Sequence, residues 1–195
     1  VGYAHGEGEK WLDRWNERKQ AQGGYPLAED QKKAAAYALE NPRLVSSIIG
    51  PAGTGKTTTM KAVAEAWQAR YGAGSVLGLA TSHKAVEELR NSIGCDSKTI
   101  AMLMALNDPE RFKAEIQQEG RLQQQLRNAS NPLERLLARI NITANHVTDS
   151  SNTIKPNQLI IVDEAGMVDS RNLQWITRLA EMRGAKVLLT GDPKQ

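Results

Sequence analysis

Ile48-Ile49-Gly50-Pro51-Ala52-Gly53-Thr54-Gly55-Lys56-Thr57-Thr58 decides the fold: an apolar strand runs into a glycine-rich turn and then into a helix. Gly, four residues, then Gly-Lys-Thr is the spacing of a phosphate-binding loop, and the strand before it and the helix after it supply the context that the spacing requires. Glycines let the backbone fold tightly around an anion with no Cβ in the way. Successive N–H groups and the positive end of the helix dipole then converge on a phosphate. On this reading Gly50, Pro51, Ala52, Gly53, Thr54, Gly55, Lys56, Thr57 and Thr58 cradle the phosphates. Lys56 reaches the β- and γ-phosphates and the Thr57 hydroxyl holds Mg²⁺. A glycine-rich turn that matches by chance is the alternative, and the flanking strand and helix speak against it.

Downstream, Leu159-Ile160-Ile161-Val162 is a buried-type strand that ends in Asp163-Glu164. Two carboxylates at a strand end supply what the loop lacks. Asp163 can hold the Mg²⁺ shell opposite Thr57, and Glu164 can take a proton from an attacking water. The other reading is an ordinary strand end that happens to be acidic. Between these two blocks, residues 75–80 form another apolar strand, so strand, helix and strand make a βαβ unit and the sheet is parallel. Ligands of parallel α/β sheets bind beyond the carboxyl ends of the strands, which puts Thr81-Ser82-His83-Lys84-Ala85 on the functional rim. A last strand over 186–190 leads into Gly191-Asp192-Pro193-Lys194-Gln195.

The remaining segments are less specific. Trp11, Leu12 and Trp15 have the i, i+1, i+4 spacing of a helix with a narrow apolar stripe, for which core packing is favoured over stacking on bases. The stretch from Tyr25 to Ala34 opens a helix that ends at Asn41-Pro42, and in it Gln31 carries an amide, a donor and acceptor that match the edge of adenine. Composition alone favours an ordinary surface Gln. The helix after the loop places Met60, Val63, Ala64, Trp67 and Tyr71 on one face, and the helix after Ala85 turns Val86, Leu89 and Ile93 inward. Asp169 or Ser170 caps a helix with Leu173, Ile176 and Ala180 inward, ending at Gly184. Residues 107–158 change character: glutamines among charges, then Asn131-Pro132-Leu133-Glu134 as a helix start with Leu133, Leu136, Leu137 and Ile140 at i, i+3, i+4, i+7. The polar run 145–157 has no period and reads as a loop. The whole section reads as a helical insertion into the α/β unit.

Composition sets the bounds. The 195 residues, 40% hydrophobic and 24% charged, are those of an ordinary globular chain able to bury a core. A net charge of +3 is compatible with a polyanionic partner and weak as an argument for one. Cys95 is the only cysteine, which excludes an internal disulfide and fits a reducing cytoplasm. The three histidines have no metal-ligand spacing. No apolar run approaches the roughly 20 residues of a membrane span. The chain opens at Val1 without an initiator Met, and a piece of a longer polypeptide is expected.

Taken in order, the blocks resemble a superfamily-1 helicase of the RecD-like branch, and the helicase part of TraI/TraA-type conjugative relaxases is the nearest likeness. Gly50 to Thr57 resembles motif I, Thr81 to Ala85 motif Ia, and Ser97-Lys98-Thr99-Ile100 motif Ib. Asp163-Glu164-Ala165-Gly166-Met167-Val168 resembles motif II, Gly191 to Gln195 motif III, and Leu27 with Gln31 the adenine-reading Q motif. The motif II form is specific to this branch; motif I alone is not. The resemblance implies an α/β, RecA-like P-loop NTPase domain over residues 25–195, with a parallel sheet flanked by helices and an insertion at about 107–158, preceded by a helical segment at 1–24. It also implies that the motif III strand lies between those of motifs I and II. ATP and Mg²⁺ are the implied cofactors, with Lys56, Asp163, Glu164 and Gln195 in hydrolysis. Single-stranded DNA is the implied ligand, gripped by Thr81, Ser82, His83 and Thr99. Motifs IV to VI are missing, and with them the second RecA-like domain and its arginine finger, so that domain is an implied partner, as are secretion-system or relaxosome components. The setting implied is the bacterial cytoplasm, and the polarity of movement 5′-to-3′. A catalytically silent domain that binds single-stranded DNA or a secretion partner is the competing reading, and a phosphate-loop kinase unrelated to DNA a third.

Overall fold

The computed structural model describes residues 1–50, 53, 55–107, 109–150 and 154–192, with the backbone alone over 109–116, 119 and 142–150. Contacts divide the chain into two compact units, Val1–Ile100 with Ile154–Gln195, and Ala101–Thr153.

The first unit is built on a parallel sheet of five strands in the order β1 (Val45–Ile49), β5 (Lys186–Gly191), β4 (Leu159–Val162), β2 (Val76–Ala80), β3 (Asp96–Thr99). Every described pairing is parallel. The sequence dictates which strands lie inside: β2 and β4 are buried at every position, and their unbroken apolar runs suit a sheet covered on both faces. β1, at the sheet's edge, alternates, with Ile48 6% and Ile49 64% exposed. The strand that leads into Gly191 does lie between the strands that lead into Gly50 and Asp163, as the resemblance implies.

Helix α3 (Lys56–Tyr71) is the hub of the core. Met60, Val63, Ala64 and Trp67 are buried as the helical period predicts, and Ala62 and Ala66 are buried as well. The reason is a second layer: α1 (Glu7–Ala21) and α2 (Glu29–Glu40) pack over α3, so it has no solvent face along most of its length. Leu12 and Trp15 of α1 belong to that core, and Trp15 Nε1 donates to Glu65 at 2.5 Å. Trp15 is therefore a packing residue. On the way to β3, α4 (His83–Ile93) lays Val86, Leu89 and Ile93 inward, and Gly78 of β2 admits it: a Cβ there would stand 2.7 Å from Leu89 Cδ2 and 2.5 Å from Ser97 Oγ. In α8 (Ser170–Arg183) the cap is Asp169, whose Oδ1 accepts from Asn172 N at 2.8 Å; Ile176 and Ala180 are fully buried. Ile154 and Gln158 belong to this unit, Gln158 Nε2 donating to Gly74 O at 3.1 Å.

In the second unit α6 (Pro109–Asn128) and α7 (Pro132–Ser150) form a hairpin, following α5 (Ile100–Leu106). The start of α7 is a reciprocal cap: Glu134 N donates to Asn131 Oδ1 at 2.8 Å, and Ser130 N to Glu134 Oε2 at 2.9 Å. The loop expected from residue 145 onward is corrected, because α7 runs on to Ser150; once a helix is nucleated, each further residue adds a hydrogen bond at little cost, and no Gly or Pro interrupts this one. The stripe Leu133, Leu136, Leu137 and Ile140 is exposed, 52–65% for each residue. Among the described residues no helix is long and apolar enough to cross a membrane.

At the amino-terminal end of β5, Lys186 is 2% exposed, its ammonium donating to Asn41 O and standing 5.9 Å from the Trp67 ring centroid. Burial pushes its pKa down from 10.5 to about 8. The folded chain thus releases this proton at a lower pH than the unfolded chain, which binds more protons between those values, and stability must rise with pH across that window. Lys186→Met should abolish that rise, worth up to about 3 kcal/mol at about 1.4 kcal/mol per pK unit. Urea melts of both proteins at about pH 7 and about pH 10 measure it.

Candidate functional site

Because all the strands run one way, their carboxyl ends share one rim, and most of the predicted site residues that the structure describes gather there. Gly50 N donates to Gly191 O at 3.2 Å, carrying the β1–β5 pairing into the start of the loop. Gly53 and Gly55 both have φ of 78°, the left-handed region that a side chain disfavours. Gly55 is the residue at which α3 begins; from Lys56 onward the backbone is helical. Thr59 ties the first turn down, its N and Oγ1 both reaching Gly55 O, at 3.0 and 3.1 Å. Pro51, Ala52, Thr54 and Gln195, named as site residues from the sequence, lie outside the described residues.

Gln31 is placed against the loop itself. A Cβ on Gly55 would stand 2.1 Å from its Nε2, so the amide occupies the space which the glycine leaves open. The amide oxygen accepts from Ala28 N at 2.9 Å, one half of a capping box at the start of α2. α2 therefore buttresses the loop through this side chain.

One cleft of about 350 Å³ is lined by Lys56, Thr57 and Met60 of α3, by Glu88, Leu89 and Ser92 of α4, by Asp163 and Glu164, and by Gly191 and Asp192. The loop lysine, the loop threonine and both carboxylates thus face one space. Asp163 is held from two sides: its N donates to Leu79 O on β2 at 2.9 Å, and its Oδ1 accepts from Thr190 Oγ1 at 2.8 Å and from Glu164 N at 3.0 Å. Glu164 has φ 47° and ψ 50°, a left-handed conformation that costs a non-glycine residue roughly 1–2 kcal/mol. Its carbonyl accepts from Met167 N at 2.8 Å, closing a short 3₁₀ turn, and its side chain is exposed toward the cleft.

These residues fit a nucleotide with a divalent cation. The loop has two left-handed glycines, a long helix starts at the loop lysine, and a hydroxyl and a carboxylate, the hard oxygen donors Mg²⁺ takes, line the same cleft. Thr81, Ser82 and His83 are exposed just past β2; Ser82 Oγ accepts from Ala85 N at 3.2 Å and caps α4. Thr99 does not join them. It is 7% exposed, at the register position beside Ala80, with its side chain inside. The sequence reading missed Thr190, Glu88 and Ser92. Thr190 had a signal, a hydroxyl ending the aliphatic run Val187-Leu188-Leu189; Glu88 and Ser92 had none, being polar positions on a helix that only the fold brings to the cleft.

Residues 26–195 match the protein family described as an AAA domain. The chain is 31% identical over 167 residues to a conjugal transfer protein TraA of Rhizobium radiobacter, an alignment covering 85% of this chain and 11% of that one. It is equally similar, over the same lengths, to a probable conjugal transfer protein TraA of Sinorhizobium fredii. It is 28% identical over 174 residues to a conjugal transfer protein TraA of Agrobacterium fabrum, covering 89% and 12%. The chain thus spans about a ninth of the length of these curated relatives.

The contact between Gln31 and Gly55 is testable. Gly55→Ala should cost about 1–2 kcal/mol of stability through its positive φ, plus the displacement of the Gln31 amide. In the double variant Gln31→Ala/Gly55→Ala the two losses should be less than additive by about 0.5 kcal/mol or more in urea melts; strict additivity would mean that the two residues do not touch.

Proposed function

The chain belongs to this AAA domain family, the RecD-like branch of the superfamily-1 helicases, and from that premise we propose that it is the ATP-binding motor domain of a 5′-to-3′ DNA helicase from a conjugative relaxase-helicase. The observation that carries the reading is the single cleft faced by Lys56, Thr57, Asp163 and Glu164, groups drawn from two strand ends far apart in the chain. Lys56 and the N–H groups at the start of α3 receive the β- and γ-phosphates. Thr57 and Asp163 would hold Mg²⁺, which would supply neutralisation of the charge on the phosphates. Glu164, exposed at the cleft, orients the attacking water and takes its proton. Gln195 is proposed to face the γ-phosphate.

The DNA side of the proposal rests on α4. Thr81, Ser82 and His83 stand at its exposed start, suited to hydroxyl and imidazole contacts with a sugar-phosphate backbone, which carry no sequence information and so suit a translocating motor. The same helix lines the cleft with Glu88 and Ser92. A ligand at its start and a nucleotide beside its middle would therefore press on one rigid element. Relaxosome or secretion-system components are proposed as further partners, in line with the conjugal-transfer description of the relatives.

A fluorescent ATP analogue titrated into the chain with Mg²⁺ should saturate, and Lys56→Ala should weaken binding at least about tenfold by removing the charge that meets the phosphates. An unsaturable wild type would overturn the reading in favour of a binding module without a nucleotide. Turnover is a separate expectation. The resemblance assigns the arginine finger, worth about 10³–10⁵ in rate, to a second RecA-like domain, so residues 1–195 alone should hydrolyse ATP slowly with or without single-stranded DNA.

A further inference from the structure

We propose that Thr190 is a positioning residue of the nucleotide site, whose hydroxyl holds Asp163 in the orientation that receives the divalent cation. The inference rests on the nucleotide-binding reading above and adds to it a residue outside the sequence motifs.

The geometry begins with register. Val162 pairs with Leu189, so the next residue on each strand, Asp163 and Thr190, stand side by side where β4 and β5 end. Thr190 is 2% exposed, and a buried hydroxyl must spend its single proton well. Two acceptors are in reach, Val162 O at 3.4 Å and Asp163 Oδ1 at 2.8 Å. The shorter contact goes to the carboxylate, which is also the stronger acceptor. Asp163 Oδ1 takes the Glu164 N–H as well, and no described residue donates to Oδ2. The carboxylate is thereby turned about a fixed oxygen, with the other left for a ligand.

The same oxygen steadies Glu164. Its left-handed backbone is a strained state that persists only where neighbours over-determine it, and the bond from its own N–H to Asp163 Oδ1 is one of those constraints. A hydroxyl on β5 thus orders the carboxylate of Asp163 and, through it, the backbone of Glu164, just past the end of β4. Thr190 also directly precedes Gly191 and Asp192, which line the cleft, so it ties the end of β5 to the cation-binding carboxylate. Partners of this kind, which orient a metal ligand without touching the metal, typically change metal affinity 10–100-fold when removed.

The test separates Mg²⁺ from phosphate recognition. A fluorescent ADP analogue is titrated against wild type, Thr190→Val, Thr190→Ala and Thr190→Ser, each in Mg²⁺ and in EDTA, with thermal melts of all four. The gain in affinity on adding Mg²⁺ should fall about tenfold in Thr190→Val and in Thr190→Ala, be kept within about threefold in Thr190→Ser, and leave affinity in EDTA unchanged throughout. Thr190→Ala guards against a valine that packs badly. A Mg²⁺ gain in the hydroxyl-free variants equal to that of wild type would overturn the role of Thr190 while leaving nucleotide binding intact. So would losses that are equal in Mg²⁺ and EDTA and follow the melting temperature. A wild type that binds in neither condition would bring down the nucleotide reading itself, and this inference with it.

Discussion

The parallel direction of the five strands is the constraint on which everything else in the first unit depends. Parallel strands cannot be joined by tight turns, so each is followed by a crossover, and each crossover leaves from the same edge. That edge collects Gly50, Thr81, Asp163 and Gly191. The order β1-β5-β4 then sets the spacing, because β5 separates the phosphate loop from the carboxylates by one strand on either side. The cleft is the space above β5, closed on one side by the start of α3 and on another by α4.

Two backbone strains sit at this rim, and they are met differently. At Gly53 and Gly55 the left-handed conformation is relieved by the absence of a side chain, and at Gly55 the vacated space is filled by the Gln31 amide. At Glu164 a side chain is present, and hydrogen bonds on both sides of the residue offset the strain, from its own N–H to Asp163 and to its carbonyl from Met167. The first arrangement frees a surface for phosphate. The second aims a carboxylate at the cleft from a turn that would otherwise relax.

Much of this was legible in the chain. The loop was, because glycine spacing, preceding strand and following helix are all local. So were β2 and β4, as apolar runs, and the caps of α7 and α8, as side chains near the backbone they serve. What the chain hid was mostly non-local. Thr190 gains meaning only when the β4–β5 register sets it beside Asp163, and Gln31 only when α2 is folded over α3. Thr99 is buried where β3 ends, since membership of a motif does not say how far a side chain reaches solvent. The stripe Leu133 to Ile140 has the period of a buried face and is exposed, since period reports where apolar groups line up and not whether something covers them.

The central place of β5 bears on how the molecule assembles as well as on what it binds. Among the described residues β1 pairs with β5 and with no other strand, and β4 needs β5 on its other flank. In synthesis β1 therefore emerges well before the β5 it must pair with, with the phosphate loop already made and a helical hairpin in between. Closing so long a loop is entropically unfavourable before any contact rewards it, and such topologies fold slowly. Until β5 arrives, β1 and β4 each present an unpaired apolar edge, the kind of surface that invites pairing with other chains. The strand that joins the two halves of the nucleotide cleft is thus also the one whose late arrival sets the pace of folding.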